Sequence, residues 1–188
     1  MVFAHGSGSS RHSPRNGYVA GVLQRARLAT LLFDLLTTQE EPRRAKVFDV
    51  ELLAGRLAEV TGWVQRRPEF AGLPVGYVGA STGAAAALWA AAADADIAAV
   101  VSRGGRPDLA EPRLGEVRAP TLLIVGGQDT KTLERNRRAE TSMRCESRLV
   151  VIPGATHLFG EPGTLEAAAT AALAWFTEHL VPAAAPSG

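Results

Sequence analysis

The sequence predicts an α/β protein: a mostly parallel sheet of about six strands with helices on both faces. Three observations carry that expectation. Short runs of Val, Leu, Ile and Phe recur between longer helical patterns. The runs are continuously apolar rather than alternating, as strands covered on both faces require. Strand then helix is the rhythm throughout, which builds a helix–sheet–helix sandwich. At 188 residues the chain suits a single domain, here placed at 1–181, because a chain this long buries roughly 70% of the surface it would expose unfolded.

Taken in order, strands are expected at "MVFA" (1–4), "LATLLFDLL" (28–36), "VGYVG" (75–79), "IAAVVS" (97–102), "APTLLIVGG" (119–127) and "SRLVVIPG" (147–154). Helices are expected at about 15–25, 46–66, 82–93, 131–144 and 163–180, the last opening at Glu161-Pro162-Gly163 and ending before Pro182. The tail 182–188 is rich in Pro and Ala without apolar periodicity, and reads as a disordered end.

Composition excludes several classes of function. Twenty basic and nineteen acidic residues leave a net charge of +1, so no overall field argues for nucleic acid or an anionic membrane. The lone Cys145 can make no internal disulfide, no Cys and His cluster has zinc spacing, and no opening segment has the form of a signal peptide. A soluble, cytoplasmic protein is expected. The longest apolar stretches, such as "GAAAALWAAA", are too short to span a bilayer.

A polar corner stands out. Gly79-Ala80-Ser81-Thr82-Gly83 fits G-x-S-x-G between a strand and a helix, the context of a nucleophile elbow. The glycines leave room for a tight reversal, and the serine is pushed out at the sheet's carboxyl edge. An N-cap serine is the alternative, and the five residues alone leave both readings open.

A serine hydroxyl is a weak nucleophile and needs a base held by a third group. Asp129 follows "TLLIVGGQ" and His157 follows "LVVIPGAT", each just beyond a strand's carboxyl end. The order Ser81, Asp129, His157 is the one expected of a Ser-His-Asp triad on such a sheet. Asp108 in "GGRPD" is the substitute acid, and Asp129 could equally cap the helix that follows it. His179 lies near the end of the terminal helix, where it suits the helix dipole, and His12 is a loop histidine near the candidate pocket. The loop "FAHGSGSSRHS" supplies backbone N–H groups, so the amides of Ser7 and Thr82 are the candidate oxyanion hole. A phosphate loop is the weaker reading, since Arg11 stands where a third glycine belongs and no Walker lysine follows.

With these residues in hand, the sequence resembles the α/β-hydrolase superfamily, in its dienelactone-hydrolase-like branch. "HGSGSSRHSPRN", "GASTGAAAAL", "SRGGRPDLA", "APTLLIVGGQD" and "PGATHLF" each look like a family block, in family order. The resemblance implies Ser81, Asp129 and His157 as the triad, Ser7 and Thr82 as the oxyanion hole, and no metal or organic cofactor. Two departures accompany it. Family members usually carry one or two strands before the "HG" block, and dienelactone hydrolases use a cysteine where Ser81 stands.

The function expected is a serine esterase that cleaves short-chain carboxylic esters through an acyl-enzyme. Acyl transfer or perhydrolysis by the same triad is the alternative within enzymology, and a catalytically silent binding module is the alternative outside it. Arg11, Arg103 and Arg106 are candidates to bind a substrate carboxylate, against pairing with Asp108 and other local acids. The segment 103–119 is too short for a lid, so an open pocket is expected. The long apolar strand 28–36 is expected at a sheet edge, where it would be covered or pair two copies as a homodimer.

Overall fold

Each apolar run returns through a helix, so its successor can lie parallel to it. The computed structural model describes residues 1–180 and shows that outcome. The chain runs through β1 (Val2–Ala4), α1 (Pro14–Arg25), β2 (Leu31–Leu32), α2 (Arg44–Val47), α3 (Val50–Gln65), β3 (Val75–Ala80), α4 (Thr82–Ala93), β4 (Ile97–Arg103), β5 (Thr121–Gly126), α5 (Thr130–Ser142), β6 (Ser147–Ile152) and α6 (Thr164–Leu180). The six strands form one sheet in the order β2-β1-β3-β4-β5-β6. Every neighbouring pair is parallel, a stricter result than the mostly parallel sheet expected.

The strands alternate between two cores although their sequences do not alternate in polarity. Val2, Tyr77, Val100 and Leu123 face a core closed by α3, α4 and α5. Phe3, Val78, Val101, Leu122 and Ile124 face the other, closed by α1 and α6. Helix α4 lies between the sheet, α3 and a 3-10 helix at Pro107–Glu116, and its alanines let all of these approach closely. Ser13 starts α1 by accepting from the Asn16 amide, with Pro14 supplying the first helical φ.

Two expected elements need correction. The strand at 28–36 shrinks to Leu31–Leu32 at the sheet edge, because Arg27 turns with φ 64° before it and Leu35 and Leu36 bury into the core beyond it. With only two residues in the ladder, the long apolar edge from which pairing of two copies was expected does not exist. The helix at 46–66 is two helices: Asp49 accepts from the Leu52 amide and starts α3 afresh. The segment after β4 forms only the 3-10 helix and no lid. The tail 182–188 lies outside the described residues. Among the described residues, no helix is long and apolar enough to cross a membrane.

Candidate active site

A parallel sheet brings every strand's carboxyl end to one edge, and that edge collects the candidate residues. Ser81 sits between β3 and α4 with φ 50° and ψ −120°, a conformation that costs a non-glycine residue about 1–3 kcal/mol. Backbone hydrogen bonds impose it. The Ser81 amide donates to the Arg103 carbonyl at 3.2 Å, and the Ser81 carbonyl accepts from Ala84 and Arg106, each at 3.1 Å. Both flanking glycines are required by contact. A Cβ on Gly79 would stand 2.4 Å from the Ala84 Cα, and one on Gly83 2.2 Å from the Ala4 carbonyl oxygen. The side chain of Ser81 makes no capping bond to α4, so the N-cap alternative finds no support.

Asp129 and His157 arrive on the loops after β5 and β6. His157 Nδ1 lies 2.6 Å from Asp129 Oδ2, while Asp129 Oδ1 accepts from the Thr132 amide at 3.3 Å. The carboxylate therefore caps α5 and holds the imidazole at once. Burial pushes the Asp129 carboxyl up, but the hydrogen bonds from Thr132 and His157 outweigh it and leave the carboxyl below its ordinary value. Ser81 and His157 line one cleft of about 170 Å³. They share no hydrogen bond here; such contacts often tighten only around substrate.

The loop after β1 crosses beside the elbow. A Cβ on Gly6 would come 2.9 Å from the Ser81 Cβ, so only glycine lets the loop lie this close to the serine. The amides of Ser7 and Thr82 donate to no acceptor among the described residues, and both residues line a second cavity of about 250 Å³ next to the first. Two unpaired donors beside a half-buried serine hydroxyl can bind a developing oxyanion. His5 positions this loop: its Nε2 accepts from the Leu35 amide at 3.0 Å and its Nδ1 lies 3.0 Å from the Gly6 carbonyl.

The comparisons with known proteins agree with this fold. The profile of the dienelactone hydrolase family matches residues 31–180. The chain belongs to the dienelactone hydrolase family. The crystal structure of a dienelactone hydrolase from Anabaena variabilis is 55% identical, with a TM-score of 0.92 over 96% of this chain and 86% of that one. Est1E from Butyrivibrio proteoclasticus shares the fold at 17% identity, with a TM-score of 0.79 over 94% of this chain and 86% of that one. A Mycobacterium tuberculosis protein, provisionally named a phosphoribosyl transferase, is 64% identical over 181 residues, which cover 96% of this chain. The chain spans only 41% of the length of that relative.

Within this family member, the rival residues are occupied elsewhere. Arg106 grips the Asp108 carboxylate with Nε at 2.8 Å and Nη2 at 2.7 Å, and the carboxylate that meets His157 is that of Asp129. Arg11 pairs with Asp34, so it is no free anion site. His179 packs against Trp175 with its ring tilted near the end of α6, and His12 is exposed. Arg103 alone of the arginine candidates lines the cleft of Ser81 and His157.

The wall of the second cavity was missed in the sequence. Leu35, Leu36, Val47 and Leu53 line it, the first three from the stretch between β2 and α3, where the sequence reads as the end of a strand and the start of a helix. Glu40 fixes that segment. Its carboxylate accepts from Arg56 Nη1 at 2.6 Å and from Lys46 at 2.5 Å, and Arg56 also donates to the Leu35 carbonyl. Those partners hold the Glu40 carboxyl far below its ordinary value. Arg56→Met is expected to lower stability at neutral pH, read by urea unfolding. Because a depressed carboxyl contributes above its ordinary pKa, the deficit should shrink as pH falls well below about 4.

Proposed function

We propose that this chain is a serine hydrolase of short-chain carboxylic esters. Ser81 attacks the ester carbonyl and gives its proton to His157, whose imidazolium Asp129 stabilises. The amides of Ser7 and Thr82 receive the oxyanion, and His157 then protonates the departing alcohol. Water, activated by the same histidine, releases the acid from the acyl-enzyme. One observation carries the reading: the Asp129–His157 pair, 2.6 Å apart, opens on the same cleft as a serine held at positive φ. Membership of a hydrolase family supports it.

The transferase name of the Mycobacterium relative is not carried over. A strained serine beside an Asp–His pair suits acyl transfer and has no role in displacement at a sugar carbon.

The preference for short acyl groups follows from the cavity beside the oxyanion amides. Leu35, Leu36, Val47 and Leu53 form one apolar side, whereas Ser7, Ser9 and Ser10 line it with hydroxyls. A long acyl chain would run past that patch into water, forgoing roughly 0.8 kcal/mol per methylene. Across p-nitrophenyl esters, kcat/KM is expected to peak between acetate and butyrate and to fall steeply by octanoate, with no activation on substrate micelles. A peak at decanoate would refute the short-chain assignment. Ester or peracid products on addition of alcohols or peroxide would instead favour acyl transfer or perhydrolysis.

A further inference from the structure

Asn136 lies in the middle of α5 and is fully buried. Asparagine is a poor helix former, and this one leaves its Oδ1 buried without a partner, a costly state for a polar atom. Against that cost stand two bonds from Nδ2, to the Thr132 carbonyl at 2.8 Å and to the Gly105 carbonyl at 3.0 Å. Both acceptors are carbonyls, so the side-chain amide can sit only this way round. The first lies one turn back in the same helix. The second lies 31 residues away in the chain, in the turn after β4.

That turn is packed against the nucleophile elbow. Gly104 has φ 54°, and its amide donates to the Ile124 carbonyl at 2.7 Å. A Cβ on Gly105 would stand 2.0 Å from Ser102 Oγ and 2.8 Å from the Ala84 Cβ, so the turn lies directly on the start of α4. The Gly105 carbonyl and the Arg106 amide belong to one planar peptide group. The Arg106 amide donates to the Ser81 carbonyl at 3.1 Å. The Ser81 carbonyl in turn shares a peptide group with the Thr82 amide, one of the two donors assigned to the oxyanion. A series of hydrogen bonds therefore runs from Asn136 Nδ2 through two peptide groups to the Thr82 N–H.

We propose that Asn136 is a positioning residue for the oxyanion hole, acting through the Gly105–Arg106 peptide on the Thr82 amide; this rests on the ester-hydrolase reading above. Two effects act along the series. Each bond polarises the next, so a donor on the Gly105 carbonyl makes the Arg106 N–H a stronger donor, and that bond does the same for the Thr82 N–H. The Arg106 bond also helps to fix ψ of Ser81, the angle that sets the direction of the Thr82 N–H, with the Ala84 amide as the other donor to the same carbonyl. Asp129 starts the same helix. Helix α5 thus holds the acid at its amino end and steadies the oxyanion amide from its middle.

The test uses Asn136→Leu, which keeps the size of the side chain and removes both donors. An oxyanion hole stabilises the transition state rather than the bound ester. Loss of a whole oxyanion donor costs about 10²–10³ in kcat, and here the donor stays but is weakened, so kcat for p-nitrophenyl butyrate is expected to fall by on the order of tenfold. KM should stay within about twofold of wild type. An aliphatic trifluoromethyl ketone adds to the Ser81 oxygen, passes the serine proton to His157 and leaves its own oxygen as an oxyanion. Its Ki should rise by the same factor as kcat falls. Rates are referred to sites titrated with a fluorophosphonate, so unfolded molecules are not counted. A merely architectural asparagine would reduce the titrated sites or the urea midpoint and leave kcat per site and Ki at their wild-type values, which would overturn the proposal.

A measurement on the wild type needs no folded variant. NMR couplings across the Asn136–Gly105 and Arg106–Ser81 hydrogen bonds should grow when the ketone binds, because the oxyanion polarises the whole series. Couplings that the ketone leaves unchanged would overturn the relay. The two readings fail differently. A wild-type protein that neither cleaves an ester nor binds the ketone ends the hydrolase reading and the relay together, whereas ester cleavage with an unaltered kcat in Asn136→Leu ends the relay alone.

Discussion

Ser81→Ala is expected to cut ester turnover by roughly 10⁴–10⁶-fold while the protein stays folded. The attack step loses its nucleophile, and what survives is the contribution of binding and of the oxyanion amides. Assay of the purified variant checks this, and labelling by a fluorophosphonate should map to Ser81 in the wild type and vanish in the variant. Stability gives an independent readout of the same site. The backbone at Ser81 has φ 50°, a conformation that glycine adopts without steric cost. Ser81→Gly should thus be as inactive as Ser81→Ala, yet more stable than it by about 1 kcal/mol. A wild-type rate from either variant would remove Ser81 from the mechanism.

Asp129→Asn is expected to lower turnover by on the order of 10⁴-fold, because an amide no longer holds the imidazole in the tautomer that accepts the serine proton. The fold should survive, since the asparagine oxygen can still accept from the Thr132 amide and start α5. Asp108→Asn provides the control. Its carboxylate is engaged by Arg106, so turnover should change little, and the opposite ranking would move the acid to the earlier loop. The pH dependence of stability has a definite sign. The folded Asp129 carboxyl lies below its ordinary value, so its interactions stabilise the native state above about pH 4 and are lost as pH falls through the lowered value. The stability gap between wild type and Asp129→Asn in urea should be full at pH 7 and close in acid.

How much of this was legible beforehand differs by element. The alanine run that makes α4, the G-x-S-x-G corner and the two polar residues that follow β5 and β6 are local signals, each set by residues within one strand–turn–helix unit. Helix α4 and β3 accordingly lie within a residue of their expected bounds. The strand expected at 28–36 failed for a non-local reason. "LATLLFDLL" has a strand's composition, but Leu35 and Leu36 gain more by burial against Leu53 and Leu57 of α3 than by pairing at an edge. The break before α3 was visible in principle, since Asp49 stands three residues before the Leu52 amide that it caps.

The sequence by itself determined the class of fold, the parallel sense of the sheet and the identity of the candidate nucleophile and base. Those depend on period, composition and short spacing, which act within a few residues of one another. The tertiary structure alone decided which carboxylate serves His157, because Asp108 and Asp129 occupy similar places in the sequence and differ only in which arginine or histidine lies within reach. It also decided that Leu35, Leu36 and Val47 wall the cavity, and that Arg11 finds Asp34 while Arg103 finds no carboxylate. The reason is the same in each case. Whether a charge is solvated, paired or stranded is set by residues far away in the chain, and no local pattern records them.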